Sequence, residues 1–274
     1  MNTPISNRAD PGLAVITGGA SGIGLAFARA YAARGAHVLI GDIDEAAMDR
    51  AATELRQLGA AVTTSVVDLQ NSQSVADFGA AAQEHGTMTA VCLNAGVTST
   101  GTVVWHTPAG TFDFLVGVNL RGPFHSIKTF VPALIAQGKS ADVVITASMA
   151  GMVASPYSGA YAASKSGAIA LAKSLRAERQ LTAPALRLVL LNPGMVKTNL
   201  IRTSAALLPP DGSMSQDLVS GSHDALNQAG VEPEVAAAWA LKALKDKRFL
   251  ALPPNGGPFT EMLTNELAEI AGDQ

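Results

Sequence analysis

Short apolar runs alternate along the chain with longer stretches of helical periodicity. Aliphatic and β-branched residues dominate the runs, which is typical of buried strands. Since strands that alternate with helices form parallel sheets, the pattern predicts one α/β domain over residues 1–274. The predicted strands are residues 12–17, 36–41, 61–67, 89–93, 142–147, 185–191 and 249–252. The predicted helices include residues 25–34, 112–137, 232–247 and 259–270, the stretch around Tyr161, and amphipathic helices through Met48 and Leu55 and through Val75 and Phe78.

The composition narrows the class of protein. Apolar residues make up 48% of the 274 residues and charged residues only 15%, which favours a sheet covered on both faces or a sizeable subunit interface. The net charge of −3, with no basic run, argues against a nucleic-acid partner. Cys92 is the only cysteine, so an internal disulfide and a cysteine-based zinc site are excluded, and no metal site is predicted. Cys92 itself lies mid-strand and is expected to be an inert core residue.

Residues 1–10 are polar and lack the apolar core of a signal peptide. No uninterrupted apolar stretch reaches the length of a bilayer. We therefore expect a cytoplasmic protein with no membrane partner.

A glycine-rich turn separates the first predicted strand from the first helix, where residues 17–24 read TGGASGIG. A helix N-terminus presents unpaired amides to an anion, and Gly18, Gly22 and Gly24 would let a pyrophosphate lie against the backbone. The spacing is G-x-x-x-G-x-G, and an ordinary tight turn is the alternative. A strand before, a helix after and an acid at the end of the next strand favour the dinucleotide.

That acid is Asp42. A carboxylate there can accept hydrogen bonds from both adenosine ribose hydroxyls and would repel a 2′-phosphate, so NAD is predicted over NADP. Asp42 could also cap the following helix, although Asp44 could serve instead. Asp68 ends the third predicted strand and could receive the adenine amino group or simply form a turn. Residues 94–96, NAG, end the fourth strand, where a small backbone would let the ribose pass.

Asn119 lies in the middle of the long helix predicted over residues 112–137. Asparagine is a poor interior helix residue, and its amide is expected to distort the helix locally. By itself this residue is predicted to lie at the surface. Ser148 follows the fifth strand, and we expect it on the same rim of the sheet as Gly18 and Asp42, because ligands bind at the carboxyl ends of parallel strands.

Tyr161 and Lys165 are four residues apart among small residues that favour helix. Positions i and i+4 share a helix face, so the ammonium is expected to lower the pKa of the phenol and make it a proton-transfer group. A solvated pair on an amphipathic helix is the alternative. The pair indicates a catalytic site only when the rest of the chain also supplies a hydride carrier and a hydrogen-bond donor.

Two irregular regions are expected to shape a substrate pocket. Residues 199–230 combine prolines, glycines and scattered leucines, which suits a mobile lid over an apolar substrate. Residues 253–274 form an extended C-terminal tail. The expected substrate contacts are Ser148, Met149, Met152, Tyr161 and Leu200.

Taken together, these motifs resemble the short-chain dehydrogenase/reductase family over nearly the whole chain. The residues that carry the resemblance are TGGASGIG at 17–24, NAG at 94–96, Asn119, Ser148, YAASK at 161–165 and PGMVKT at 193–198. The resemblance implies a single doubly wound Rossmann-type parallel sheet with helices on both faces. It also implies a nicotinamide dinucleotide across the carboxyl edge.

The resemblance further implies the roles of individual residues. Tyr161 would be the acid/base, Ser148 would orient the substrate oxygen, and Lys165 would hold the nicotinamide ribose and depress the tyrosine pKa. Asn119 would support a water that links Lys165 to solvent, completing a catalytic set of four. Pro193 to Val196 would position the nicotinamide carboxamide, with Thr198 on the carboxamide or pyrophosphate. The expected cofactor contacts are Gly18, Ser21, Gly22, Ile23, Gly24, Asp42, Ile43, Asp68, Leu69, Asn94, Ala95, Gly96, Tyr161, Lys165, Pro193, Gly194, Val196 and Thr198.

The chain departs from the family pattern at two points. Leu93 stands where many members have a second asparagine, and the usual Gly-Gly ending after the last strand is not clearly present, because residues 249–257 continue into a further apolar helix. The expected function is an NAD-dependent oxidoreductase that interconverts a hydrophobic secondary alcohol and its ketone. The alternatives are an NADPH-dependent carbonyl reductase and a dinucleotide-sensing module without chemistry. A homo-oligomer, dimer or tetramer, is expected.

Overall fold

A parallel sheet forms the centre of the protein. The computed structural model describes residues 11–153, 155–212, 214–254 and 258–272. Within them a seven-stranded sheet has the order β3-β2-β1-β4-β5-β6-β7, with every neighbouring pair parallel. The strands are β1 (Leu13–Thr17), β2 (His37–Asp42), β3 (Val62–Val66), β4 (Met88–Leu93), β5 (Ala141–Thr146), β6 (Leu186–Leu191) and β7 (Leu250–Ala251). Each predicted strand is confirmed to within a residue or two.

Helices follow the strands as the alternation predicts. They are α1 (Gly22–Ala32), α2 (Glu45–Gln57), α3 (Ser72–Glu84), α4 (Ala109–Val116), α5 (Gly122–Ala136), α6 (Gly159–Thr182), α7 (Leu200–Leu207), α8 (Gln216–Ala229), α9 (Pro233–Lys245) and α10 (Pro258–Ala271). Local chemistry explains where α2 and α3 begin. Asp44 caps α2 by accepting from the Ala47 amide at 2.9 Å, and Asn71 caps α3 in the same way.

Apolar side chains cover both faces of the sheet. One cluster joins the sheet to α1, α2 and α9 and includes the fully buried Phe27 and Leu55. The other joins it to α3, α5 and α6, where the rings of Phe78 and Phe130 meet edge to face at 5.9 Å. Because β1, β4 and β5 are buried along their whole length, their sequences are almost uniformly apolar. Cys92 is buried in β4, as predicted.

The strand order reverses between β1 and β4, and this reversal determines where a ligand can bind. From β1 the chain proceeds outward to β2 and β3, then returns to β4 and continues to the opposite edge. The loops after β1 and β4 therefore diverge and leave a crevice at the carboxyl ends of the strands. They are in contact at their bases, where Asn94 Nδ2 donates to the Gly18 carbonyl at 3.4 Å and a Cβ at Gly18, where φ is +63°, would lie 2.6 Å from the Ala95 Cα.

The long helix predicted over residues 112–137 is interrupted. A turn of π-helix, Gly117–Arg121, separates α4 from α5, at the point where the sequence predicts a distortion. The predicted surface position of Asn119 is wrong, since the residue is fully buried. Its amide is satisfied instead by protein groups: Oδ1 accepts from the Val97 amide at 2.9 Å, and Nδ2 donates to the Val97 carbonyl at 2.8 Å and to Ser164 Oγ at 3.0 Å.

The region 199–230 is largely helical. It comprises α7, a short 3-10 turn at Pro210–Gly212 and α8. The Thr98 amide donates to the buried Ser204 Oγ at 2.9 Å, which ties α7 to the loop after β4. In the tail, α10 begins beside the loop after β6, since a Cβ at Gly194 would lie 2.8 Å from the Phe259 ring, while the glycines at 256–257 lie outside the described residues. Among the described helices, none is long and apolar enough to cross a bilayer.

Candidate active site

An open cleft of about 1380 Å³, partly continuous with solvent, lies at the carboxyl edge of the sheet. Its walls contain every expected cofactor contact except Gly24, and every expected substrate contact except Met149 and Met152. The further lining residues are Val67, Gln70, Val97, Phe114, Val118, Thr146, Ala147, Thr203, Leu207 and Leu226. The structure therefore brings the residues singled out from separate motifs together around one cavity.

The glycines of residues 17–24 have different physical roles. Gly18 and Gly22 have positive φ angles of +63° and +52°, which favour glycine. A Cβ at Gly22 would lie 3.0 Å from Thr198 Cγ2, so Gly22 leaves room for the loop after β6. Gly24 does not line the cleft; a Cβ there would lie 2.0 Å from the Gly18 carbonyl oxygen. Gly24 lets the start of α1 pack against the turn.

Asp42 is held at the cleft by backbone amides. Its carboxylate accepts from Ile43 at 2.8 Å, from Ala20 at 3.2 Å and from Asp44 at 3.3 Å. Burial raises the pKa of Asp42, and the three amide hydrogen bonds oppose that rise. The helix cap is Asp44, so Asp42 remains available to a ligand.

Asp68 forms a turn and also lines the cleft. Its Oδ1 accepts from the Gln70 amide at 2.9 Å, which forms the turn after β3. The same residue also lines the cleft. The turn role is therefore confirmed, and contact with an adenine stays a prediction.

Ser148 and Tyr161 lie close together in the wall of the cleft. Ser148 follows β5, and its Oγ accepts from the Ala150 amide at 3.1 Å, which fixes the side chain. A hydrogen bond from Ser148 lowers the pKa of Tyr161, but desolvation has the larger effect, and the net result is a raised pKa. Tyr161 is therefore a protonated, neutral phenol at neutral pH.

Lys165 does not act on the phenol as predicted. Its Nζ lies over the Tyr161 ring, 5.9 Å from the centroid. Lys165 is 4% exposed, and burial lowers its own pKa to about 8. The expected depression of the Tyr161 pKa by this cation is wrong for this arrangement, because the desolvation of both groups dominates. Nζ donates to the Thr146 carbonyl at 3.4 Å.

Met149 and Met152 pack against the core and do not line the cleft. They lie in the short turn after Ser148, which packs against α6 so closely that a Cβ at Gly151 would lie 2.8 Å from the Lys165 carbonyl carbon. Met149 is 2% exposed, and Met152 packs against the core. Leu200, by contrast, lines the cleft.

Sequence reasoning missed most of the apolar wall. Phe114 and Val118 lie four residues apart on one face, pack near Tyr161 and line the cleft. Their helical spacing is a signal that could have identified them. Leu226 gives no such signal, because its position depends on how α8 packs against α7.

The doubly wound sheet, the glycine turn and the Ser148–Tyr161–Lys165 group define a Rossmann-type α/β protein with a dehydrogenase-like site. The family model for short chain dehydrogenase matches residues 12–206. The chain belongs to the short-chain dehydrogenase family of oxidoreductases.

Individual relatives extend the similarity beyond that region. The 1-deoxy-11-beta-hydroxypentalenate dehydrogenase of Streptomyces exfoliatus is 37% identical over 212 residues, 76% of each protein. The C alpha-dehydrogenase of Sphingobium sp. strain NBRC 103272 / SYK-6 is 30% identical over 249 residues, covering 88% of this chain and 80% of the relative. The crystal structure of a short-chain dehydrogenase/reductase from Burkholderia phymatum in complex with NAD superposes with a TM-score of 0.83 at 29% identity, over 90% of each chain.

Proposed function

We propose that this protein is an NAD-dependent oxidoreductase that interconverts a hydrophobic secondary alcohol and its ketone. One observation carries the proposal. Ser148 lies close enough to the Tyr161 phenol to lower its pKa, beside Lys165 and inside the cleft that also contains the glycine turn and Asp42. A proton donor and a hydrogen-bond donor thus face the same space as a dinucleotide site.

The residues of the cleft fit a nicotinamide dinucleotide. Gly18 and Gly22, whose positive φ angles favour glycine, have no side chains. Bare backbone therefore lies at the start of α1, where a pyrophosphate would bind. When bound, the nicotinamide supplies or accepts a hydride. The residues proposed to hold it are Gly18, Ser21, Gly22, Ile23, Asp42, Ile43, Asp68, Leu69, Asn94, Ala95, Gly96, Lys165, Pro193, Gly194, Val196 and Thr198.

The charge of the cleft supports NAD over NADP. Asp42 would accept from the ribose hydroxyls and repel a 2′-phosphate. Among the described residues that line the cleft, Lys165 is the only lysine or arginine, and it hydrogen-bonds at the end of β5, three strands from Asp42. The similar protein from Burkholderia phymatum is in complex with NAD.

The proton chemistry follows from the two shifted pKa values. Tyr161, with a raised pKa, holds its proton at neutral pH and would donate it to a ketone oxygen during reduction. In the oxidation direction the same step would run in reverse, with the phenolate that ketone reduction leaves behind taking up the hydroxyl proton of the alcohol. Ser148 would donate to the same oxygen as charge develops. Lys165, with a pKa of about 8, is mostly cationic at neutral pH and would hold the nicotinamide ribose.

In this proposal Asn119 does not contact the substrate or the cofactor directly. Its side-chain amide is occupied by Val97 and Ser164, so its part is to hold the π turn and the loop after β4 in place. It is therefore proposed as a positioning residue. Any water that links Lys165 to solvent would bind the backbone of this turn or the second lone pair of Asn119 Oδ1, since both side-chain donors are already used.

The walls near Tyr161 support an apolar substrate. They are formed by aliphatic side chains and one phenyl ring: Val97, Phe114, Val118, Leu200, Leu207 and Leu226. Three of the six lie in region 199–230, which is proposed as the substrate lid. The name of the Streptomyces relative, a hydroxypentalenate dehydrogenase, agrees with oxidation of a hydroxyl group.

A panel of hydrophobic secondary alcohols, assayed with NAD⁺ and with NADP⁺ by the appearance of the reduced cofactor, tests the function. We expect turnover with NAD⁺, and its loss in Tyr161→Phe with NADH binding retained. Preference for NADP⁺ would favour the carbonyl reductase alternative. Binding of NADH without turnover of any alcohol or ketone would favour the sensing module, and unchanged activity of Tyr161→Phe would overturn the mechanism.

A homo-oligomer is part of the proposal. Phe112 and Phe124 are 44% and 50% exposed on α4 and α5, and apolar rings at that exposure favour contact with a second copy. Sedimentation equilibrium measures the subunit number. A monomer at micromolar concentration would contradict this part alone.

A further inference from the structure

Ser164 lies between Tyr161 and Lys165 on α6 and is fully buried. Small size alone would explain a serine at this position, because α6 packs against the π turn there. The hydroxyl group does more than fill space, since it makes hydrogen bonds on two sides. Its Oγ accepts from Asn119 Nδ2 at 3.0 Å and donates to the Tyr161 carbonyl at 2.7 Å.

The chemistry of the donors and acceptors fixes the direction of these hydrogen bonds. The Val97 amide can only donate, so the oxygen of the Asn119 side chain faces it, at 2.9 Å. Asn119 Nδ2 then uses its two hydrogens on the Val97 carbonyl and on Ser164 Oγ. Because Ser164 Oγ accepts there, its own hydrogen is available to the Tyr161 carbonyl. A continuous chain of hydrogen bonds therefore runs from the loop after β4, through the π turn, to the backbone of Tyr161.

The first turn of α6, which carries Tyr161, has no side-chain cap. The residue before the helix, Ser158, donates its hydroxyl hydrogen to Thr100 Oγ1 at 2.9 Å. Helix ends fray, and an end without a cap leaves its first amides without side-chain partners. A serine that donates to a carbonyl of the preceding turn also bends a helix. The Ser164 hydroxyl therefore restrains the direction of the turn that carries the phenol.

The other end of the hydrogen-bond chain is anchored in the protein interior. Asn119 is fully buried, and Val97 is 6% exposed. Val97 and Tyr161 both line the cleft, whereas Ser164 has no exposed surface and does not. The hydrogen bonds thus connect two walls of the cleft from behind, and Ser164 itself would touch neither substrate nor cofactor.

We propose that Ser164 is a positioning residue, which orients Tyr161 for proton transfer by tying its backbone to Asn119. The kinetic consequence of this inference rests on the proposed function, whereas the geometric consequence does not. Without the hydroxyl, Tyr161 would lose a restraint that keeps the phenol beside Ser148. One buried N–H of Asn119 would also lose its acceptor, and the cost of an unpaired donor favours rearrangement of the π turn.

NMR of the full chain labelled with [ζ-¹³C]tyrosine tests the geometry without a cofactor or a substrate. The chain has 3 tyrosines, and the resonance that disappears in Tyr161→Phe is that of Tyr161. The ¹³Cζ chemical shift depends on the hydrogen bonding of the phenol oxygen. In Ser164→Ala we expect the Tyr161 resonance to move, while the resonances of Tyr31 and Tyr157 keep their wild-type positions.

Steady-state kinetics with NAD⁺ and a hydrophobic secondary alcohol test the consequence for catalysis. We expect kcat per NADH-binding site to fall about 10-fold in Ser164→Ala, because a small misplacement of reacting groups costs rates of that order or more. The KM for the alcohol should stay within about 2-fold of wild type, since Ser164 does not reach the substrate. A merely structural role would lower the number of binding sites and leave kcat per site unchanged.

Ser126→Ala is the matched control. Ser126 is also buried near the start of a helix and donates to a carbonyl of the preceding turn, that of Gly122 at 2.9 Å. This variant should leave kcat and the tyrosine resonances unchanged. Ser164→Cys keeps the size of the side chain but hydrogen-bonds only weakly. It should behave like Ser164→Ala, and it replaces the alanine variant if that protein does not fold.

An unmoved Tyr161 resonance in Ser164→Ala would overturn the inference. Equal changes in Ser126→Ala would also overturn it, because they would assign the effect to a general loosening of the helices. If wild type and Ser164→Ala oxidise alcohols with the same kcat per site, the proposed function stands and the positioning role fails. If no alcohol is oxidised, the proposed function fails, and the Tyr161 resonance alone decides the positioning role.

Discussion

The ammonium group of Lys165 occupies the space that any side chain at Gly96 would need. A Cβ at Gly96 would lie 2.9 Å from Lys165 Nζ and 3.1 Å from Asn119 Oδ1. Glycine in the loop after β4 therefore determines where the buried cation lies, and it couples that cation to the π turn. The motif at residues 94–96 therefore has a structural reason of its own, and the passage of a ribose over it stays a prediction.

Gly96→Ala should displace Lys165 and reduce kcat with little loss of fold. A shift of about 1 Å at a catalytic site can cost about 10²-fold in rate, and we expect a loss of that order. Gly221→Ala, at a helical position whose added Cβ would meet nothing within 4 Å, is the control. Near wild-type kcat in Gly96→Ala with an unchanged circular dichroism spectrum would contradict the coupling.

Asn119→Leu should destabilise the protein by about 3 kcal/mol. Leucine has a similar shape but leaves the buried Val97 amide and carbonyl without the partners they have at 2.9 and 2.8 Å. Urea unfolding measures the change. Asn265→Leu, at an exposed position of α10, is the control and should lie within about 0.5 kcal/mol of wild type. An equally small effect for Asn119→Leu would show that the π turn does not depend on this amide.

The titration of Lys165 should make the free energy of unfolding depend on pH in the alkaline range. Burial lowers its pKa from 10.5 to about 8, so between these values the unfolded chain binds more protons than the folded protein. The free energy of unfolding therefore rises as pH increases through that window. We expect an increase of about 2 kcal/mol between pH 8 and pH 9.5, which is lost again when the pH falls back to about 8. Urea titrations over this range measure the slope.

Lys165→Met should remove that slope and raise stability at pH 7, because no charge is buried. Lys173→Met, an exposed lysine on the same helix, should keep it. A wild-type slope retained in Lys165→Met would assign the titration to another group.

Phe259→Ala should weaken cofactor binding. The Phe259 ring lies over Gly194, where a Cβ would be 2.8 Å from it, and so supports the loop after β6 from outside the cleft. We expect the dissociation constant for NADH, measured by fluorescence titration, to rise about 5-fold, equivalent to about 1 kcal/mol. Leu267→Ala, on the exposed side of the same helix, is the control. Equal effects of the two variants would mean that the tail acts only through overall stability.

Much of this protein could be predicted from sequence because its signals are local. The alternation of apolar runs and helical stretches determines an α/β domain, since period and burial are properties of short segments. Strands that end in Gly18, Asp42, Asn94 and Ser148 must bring those residues to one rim, because all carboxyl ends of a parallel sheet lie on the same side. That argument uses no tertiary contact.

Only the tertiary structure decided how the side chains are surrounded. Asn119 is buried because the loop after β4 folds over it, and no local pattern encodes that partner. Tyr161 and Lys165 have pKa values set by desolvation, which depends on everything packed around them and outweighs their spacing along the helix. Met149 and Met152 look the same in sequence as Leu200, yet packing assigns the former to the core and the latter to the cleft.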